Sequence, residues 1–275
     1  TDDCVYSVTV VDAEAPVMDL PFDDVSFNVD PGECYSSQTP DFPTATDNCT
    51  PSGSITISND LALVMPFDIG PNNVRWTFTD ASGNTAIHTQ VVTVVDNEGP
   101  VITNCPVADI TAVSQGEDCT AIVSWPNLIA TDDCSGVKSF TSTHSPGQLF
   151  PVGTTVVTYT ATDNADNVST CVFNVVVTDT PPSITCVGDK TRNANSGTCA
   201  YVGLGNEFDP VNFDDNCSAP SVTWSYTDPE TLNLVTGSNS LSGVSINRGF
   251  NNGPGTGVIP ITWTATDENG NFATC

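Results

Sequence analysis

The sequence predicts an all-β protein: tandem β-sandwich repeats strung into an extended rod. Three observations lead there. The phrase VTVVDAEAPV at 8–17 returns as VTVVDNEGPV at 92–101 and as VVVTDTPPSI at 175–184, setting Asp12, Asp96 and Asp179 84 and 83 residues apart. Self-similarity at a fixed period marks a repeat architecture. Segments such as AIVSW, TVVTYTATD, CVFNVVVTD and VIPITWTATD alternate with period two and are rich in Val, Thr and aromatic residues, which is the strand signal. No window of about eleven residues shows a helical apolar stripe.

Two further phrases recur inside each period. One reads ATDNC at 45–49, ATDDC at 130–134 and FDDNC at 213–217; the other reads TFTDASGN at 77–84, TATDNADN at 160–167 and TATDENGN at 264–271. The chain therefore divides into the final strand of a preceding repeat (1–12), repeat one (13–96), repeat two (97–179) and repeat three (180–275), whose last strand is missing. About seven short strands per period fit one immunoglobulin-like (Ig-like) sandwich. Cys134 to Asp163 spans 29 residues and Cys217 to Asp267 spans 50, so repeat three carries an insertion near 228–257. Its Gly- and Asn-rich stretch reads as an additional hairpin or long loop. Trp76, Trp125 and Trp263 fall on strands, with Tyr159 at the matching position in repeat two, and all four are expected in the core.

Composition limits function. Of 275 residues, 33 are Asp or Glu and 5 are Lys or Arg, a formal charge of −28. Such a chain lacks the clustered cations that release counterions from nucleic acid, and anionic membrane surfaces are disfavoured likewise. Yet 14% of residues are charged and 38% hydrophobic, so a core can form. No apolar run is long enough for a transmembrane helix, so no direct membrane insertion is expected, and any targeting sequence is expected outside this segment. The self-repulsion calls for cations or a salty medium.

Eleven cysteines suggest an oxidising, extracellular setting. Repeat two has Cys105, Cys119, Cys134 and Cys171; repeat three has Cys186, Cys199, Cys217 and Cys275. Repeat one keeps only the second and third, Cys34 and Cys49, with Leu20 and His88 at the first and fourth positions. First and fourth vanish together, as bonded partners should. The expected pairs are Cys105–Cys171, Cys186–Cys275, Cys34–Cys49, Cys119–Cys134 and Cys199–Cys217. His88 then reads as the filler for a lost cysteine rather than as a ligand. Cys4 aligns with Cys171, so its partner is expected in an upstream repeat, or in another copy that receives residues 5–12 as an added strand.

The acidic residues gather where linkers meet loops. With two histidines (His88, His144) and no CxxC or HExxH spacing, zinc has no site. Calcium needs six to eight hard oxygen ligands from loops. In an Ig-like sandwich the linker enters beside the two acidic phrases. Junction one assembles Asp12 and Glu14 with Asp47, Asn48, Asp80 and Asn84; junction two, Asp96 and Glu98 with Asp132, Asp133, Asp163 and Asp166; junction three, Asp179 with Asp215, Asn216 and Asp267, with Glu268 as a further candidate and without a linker Glu. The plain alternative is that Asp and Asn form turns through their own side-chain hydrogen bonds. Asn48, Asn167 and Asn216 also begin N-x-S/T sequons, which a Ser/Thr-rich chain produces by chance.

Repeat two reads PVITNCP at 100–106, CTAIVSWP at 119–126, TDDCSG at 131–136 and FPVGTTVVTYTATDNADNVSTC at 150–171. This order resembles the hyalin repeat, abbreviated HYR. Repeat three departs through its insertion; repeat one departs by losing two cysteines and by MPFDIGPNNVRWTFTD in place of FPVGTT. The resemblance implies an Ig-like sandwich used in extracellular adhesion, and the acidity and tandem arrangement are similar to long Bacteroidetes adhesins, gliding adhesins included. The expected function is a non-catalytic segment of a secreted or cell-surface adhesin, stalk or fibre, stiffened by disulfides and junction Ca²⁺. Its partners would be neighbouring repeats or other copies in a fibre. No GxSxG, phosphate loop or Cys–His arrangement suggests an enzyme. The alternatives are a glycan- or protein-binding module acting through Arg248 and Phe250 in the insertion, a strand-exchange filament subunit, and an accessory module of a secreted enzyme.

Overall fold

The computed structural model describes residues 3–116, 118–247 and 257–275. Arg248 and Phe250, the expected binding residues of the insertion, lie outside them. The chain forms two compact units. One comprises residues 1–104, 128–142 and 159–171; the other comprises 105–127, 143–158 and 172–275. The division falls within residues 97–179.

In the first unit, Val25–Asn28, Thr85–Val95, Gly70–Thr79 and Thr56–Asn59 form a four-stranded sheet in that order. Val25–Asn28 runs parallel to Val92–Val95, and the other neighbours are antiparallel. Short ladders join Val17–Met18 to Ala45–Thr46 and Tyr35–Ser36 to Phe67–Asp68. Residues of the second repeat add Val101–Thr103 against Ile129–Thr131, and Val137–Ser142 against Tyr159–Asp163. In the second unit Ile110–Val113 runs parallel to Val175–Thr178, and Thr120–Val123 pairs with Gln148–Pro151. Ser183–Thr185 pairs with Asn212–Asp214, and Ala200–Val202 with Ser245–Asn247. The opening ladder recurs in all three repeats and the parallel ladder in the first two, and the fold is all-β tandem sandwiches.

Period-two alternation explains the core. Along Thr85–Val95 the side chains alternate between buried and exposed, and Val92 and Val94 meet Val74, Trp76, Phe78, Val29, Leu61 and Phe67. Trp76, Tyr159 and Trp263 are buried on strands, as expected; Trp125, also expected on a strand, is buried but lies two residues beyond the strand Thr120–Val123. The single described α-helix, Leu61–Val64, is one turn long and inserts Leu61 into this core. His88 does sit where a disulfide is lost: its ring meets Phe22 at 5.9 Å between centroids, and Phe22 also packs on Trp76.

In its described residues the insertion, expected as a hairpin or a long loop, supplies a hairpin strand. Leu234–Ser238 pairs with Ser221–Thr227 and occupies the edge of the sheet that continues through Thr262–Thr266 to Phe272–Thr274. Gly237 faces Trp224, and a Cβ there would lie 2.1 Å from the indole ring. Residues 5–12, expected as a strand, carry no strand, and Val5 and Val10 are 91% and 90% exposed. A strand needs a ladder partner, and none lies beside them among the described residues.

Trp76→Ala removes a fully buried indole and should cost about 3–5 kcal/mol in urea unfolding. Gly237→Ala forces the Trp224 ring off its seat and should cost about 1–3 kcal/mol, whereas an unchanged midpoint would show that the hairpin does not bear on Trp224.

Candidate metal centres

Three groups of carboxylates stand out: Asp12, Asp47 and Asp80; Asp96, Asp132 and Asp163; and Asp179, Asp215 and Asp267. Within each group the ligand atoms lie within 4.8 Å of one another. Every member was among the acids expected at the junctions, and each group takes one from a linker, one from the ATD(N/D)C loop and one from the TDxxxN turn. All nine members are aspartates.

The local folding of each loop explains the placement. In the TDxxxN turns one carboxylate oxygen accepts the backbone N–H of the Asn four residues on: Asn84 to Asp80 at 2.7 Å, Asn167 to Asp163 at 2.7 Å and Asn271 to Asp267 at 2.8 Å. The Asn amide returns to the other oxygen in each case. The position before the Asn has positive φ, filled by Gly83, Asp166 and Gly270. In the ATD(N/D)C loops, Asp47, Asp132 and Asp215 each accept two backbone N–H groups from the residues that follow. In the linkers Asp12 accepts Glu14 N–H and Asp96 accepts Glu98 N–H. The linker and loop aspartates thus tie one oxygen to the local backbone, and the turn aspartates tie both.

The other oxygens decide what the site can do. Asp12 Oδ2, Asp96 Oδ2 and Asp215 Oδ1 are buried and accept no hydrogen bond, one in each group. A buried carboxylate oxygen without a donor is costly. Three carboxylates facing one point repel, and a hard cation there removes both penalties. The donor set therefore fits an oxygen-liganded divalent ion. The field is visible at Cys49, whose thiol is pushed up by desolvation and by the carboxylates of Asp12, Asp47, Glu14 and Asp80.

Glu14, Glu98, Asp133 and Asp166 are not members of the three groups. Glu14 accepts the Asn48 amide at 2.5 Å, and Glu98 accepts Gly32 N–H through both oxygens. Asn84 donates to the Asp12 carbonyl at 3.3 Å. Asp166 pairs with Lys138 in the open, and Asp133 is outside the second group. At the third junction Asp179 is better supplied with donors: Cys217 Sγ, Ser114 Oγ and Thr180 N–H reach Oδ1, and Asn269 reaches Oδ2. The sequon amides of Asn48, Asn167 and Asn216 all donate to protein groups.

The disulfides differ from expectation. Cys186–Cys275 forms, and Cys105 and Cys171 are each disulfide-bonded. Cys34, however, bonds Cys134 rather than Cys49. Cys49, Cys119, Cys199 and Cys217 are thiols, so neither Cys119–Cys134 nor Cys199–Cys217 forms. The reason is geometric. The hairpin carrying Cys34 reaches Glu98 at the second junction, whereas the Cys49 loop belongs to the first. Second and third cysteines of one repeat stand at different junctions. Cys4, also a thiol, is exposed.

A family model described as the HYR domain matches residues 95–177. The chain carries a HYR domain. Hyalin of Lytechinus variegatus is 33% identical over 197 residues, covering 70% of this chain and 37% of that protein. The Sushi, von Willebrand factor type A, EGF and pentraxin domain-containing protein 1 of Rattus norvegicus is 33% identical over 177 residues, 64% of this chain and 5% of that protein. The HYR-bearing chain therefore spans well under two thirds of either relative. Among solved structures, Drosophila N-cadherin EC1-3 is 13% identical with a TM-score of 0.29, over 93% of this chain and 96% of that one. No described helix is long and apolar enough to cross a membrane.

Burial works against ionising Asp80 and Asp179, but hydrogen bonds outweigh it (chiefly Asn84 for Asp80, and Cys217 and Asn269 for Asp179), and both carboxyls sit below the usual value of 3.8. Their folded values being depressed, the stability they contribute is present above that value and is lost as pH falls through the folded one. Melting in EDTA between about pH 6 and about pH 2.5 should show the loss concentrated below about pH 4. Asp80→Asn should flatten that acid limb, and an unaltered limb would remove Asp80 from the account.

Proposed function

We propose that the chain is a non-catalytic, load-bearing segment of an extracellular or cell-surface adhesion protein, with Ca²⁺ held at its repeat junctions. The repeat boundaries at Asp12, Asp96 and Asp179 are part of this reading, since each places a linker aspartate between two loops of the repeat it enters. The observation that carries it is the threefold recurrence of one linker, one loop and one turn carboxylate around a point, each group with a buried oxygen lacking a donor. A cation bridging linker to loops makes a hinge into a joint. The membership of the HYR family and the similarity to Hyalin support an extracellular role.

Calcium fits better than magnesium. The ligands sit on three separate backbone segments, and Ca²⁺ accepts irregular oxygen shells where Mg²⁺ demands near-octahedral geometry. Neighbouring repeats, on this chain or another, are the partners the arrangement provides for.

Millimolar Ca²⁺ should raise the melting temperature, each site adding about 2.7 kcal/mol at a hundredfold excess over Kd. Asp96→Asn with Asp132→Asn should abolish the second site's share and reduce the calorimetric stoichiometry by one, while equal Mg²⁺ does less. Identical melting curves in EDTA and in Ca²⁺ would overturn the metal reading.

A further inference from the structure

The Cys34–Cys134 bond joins two kinds of place. Cys34 stands at the tip of a hairpin closed by Asp30 N–H to the Tyr35 carbonyl at 2.7 Å. Cys134 stands in the next repeat, two residues after Asp132, in the loop that Asp132 caps through Ser135 and Gly136 N–H. Both places recur in the second unit. Cys119 occupies the tip of the hairpin closed by Gln115 N–H to the Thr120 carbonyl at 2.8 Å. Cys217 lies two residues after Asp215, in the loop Asp215 caps. The separations match: 100 residues from Cys34 to Cys134, and 98 from Cys119 to Cys217.

The two thiols are also together in space. Cys119 is among the groups that push the Cys217 thiol up, after burial and Asp179. Ser114, which follows the strand Ile110–Val113 on the way into the Cys119 hairpin, places its Oγ 3.4 Å from Cys217 Sγ and accepts the Asn216 amide at 3.0 Å. Cys217 is buried, which suits a structural sulfur better than a reactive one.

We propose that Cys119 and Cys217 form a disulfide in the secreted protein, so that the hairpin cysteine of each repeat is stapled to the loop cysteine of the next. Two thiols lose two protons and two electrons; the acceptor is a disulfide of a thiol–disulfide oxidoreductase or of oxidised glutathione, which becomes the dithiol. The staple closes a loop of 98 residues, the kind of long loop whose closure most restricts the unfolded chain. Cys199 and Cys49 present the same two halves, hairpin and loop, and would take partners from further repeats of the same or another chain. With the staples running between repeats, each cysteine of the second and third positions has a stated mate or a stated kind of mate.

The test is a disulfide map of the intact chain made in an oxidising secretory compartment, denatured and alkylated without reduction, then digested. The expected product is a cross-linked peptide pair containing Cys119 and Cys217 beside the pair containing Cys34 and Cys134. Alkylated Cys119 and Cys217, or the within-repeat pairs Cys119–Cys134 and Cys199–Cys217, would overturn it. Cys119→Ser supplies a second readout: the Cys217 peptide should change from cross-linked to alkylated while the Cys34–Cys134 pair persists. Cys217 alkylated to the same extent in both proteins would equally overturn the proposal.

Discussion

The arrangement depends on how the junction aspartates use their oxygens. Asp12, Asp96 and Asp215 each give one oxygen to backbone N–H groups of the local chain and keep the other buried without a donor, whereas Asp80, Asp163 and Asp267 spend both on the Asn four residues on. The loop-directed bonds are local and form as soon as the turn closes, so the second oxygens are aimed before any cation arrives. On the proposed reading, such preorganisation means that a cation would meet a site whose shape is already set and would relieve its repulsion. The linker's course follows from the same division, because Asp12 and Asp96 each fold back on the residue two ahead while keeping a second oxygen turned inward.

The sandwich supplies the frame on which these loops stand. Long antiparallel hairpins such as Gly70–Thr79 with Thr85–Val95 end in the TDxxxN turn, so the turn's position is fixed by a ladder ten residues deep. Where repeat one lacks its first and fourth cysteines, Phe22 and His88 meet edge to face over Trp76 and hold the same strands by packing. Where repeat three departs from the others, the added strand Leu234–Ser238 covers a sheet edge and uses Gly237 to admit the Trp224 ring. Both departures leave the carboxylate groups in place, which separates what the frame tolerates from what the junctions require.

The cysteines show how far comparison within one chain can go. Loss of the first and fourth together in repeat one is informative because the two events coincide. The second and third never vanish, so their joint presence says only that each is bonded, and a mate in the same repeat is indistinguishable from one in the next. Position in space separates the two: the hairpin of Cys34 reaches the junction ahead, beside Glu98, while the Cys49 loop faces the junction behind.

Fold class, repeat period, core tryptophans and the nine clustered aspartates were all legible in the residues, because period-two alternation and turn chemistry act over a few neighbours and leave a local mark. An insertion in repeat three was legible too, as either a hairpin or a long loop. Which sulfur meets which, which aspartate oxygens stay without a donor, and why Glu14, Glu98 and Asp166 turn away to Asn48, Gly32 and Lys138 were decided only by tertiary structure. Those are contacts between segments far apart in the chain, whose distances depend on how strands stack and where a linker bends, and no short stretch of sequence records them.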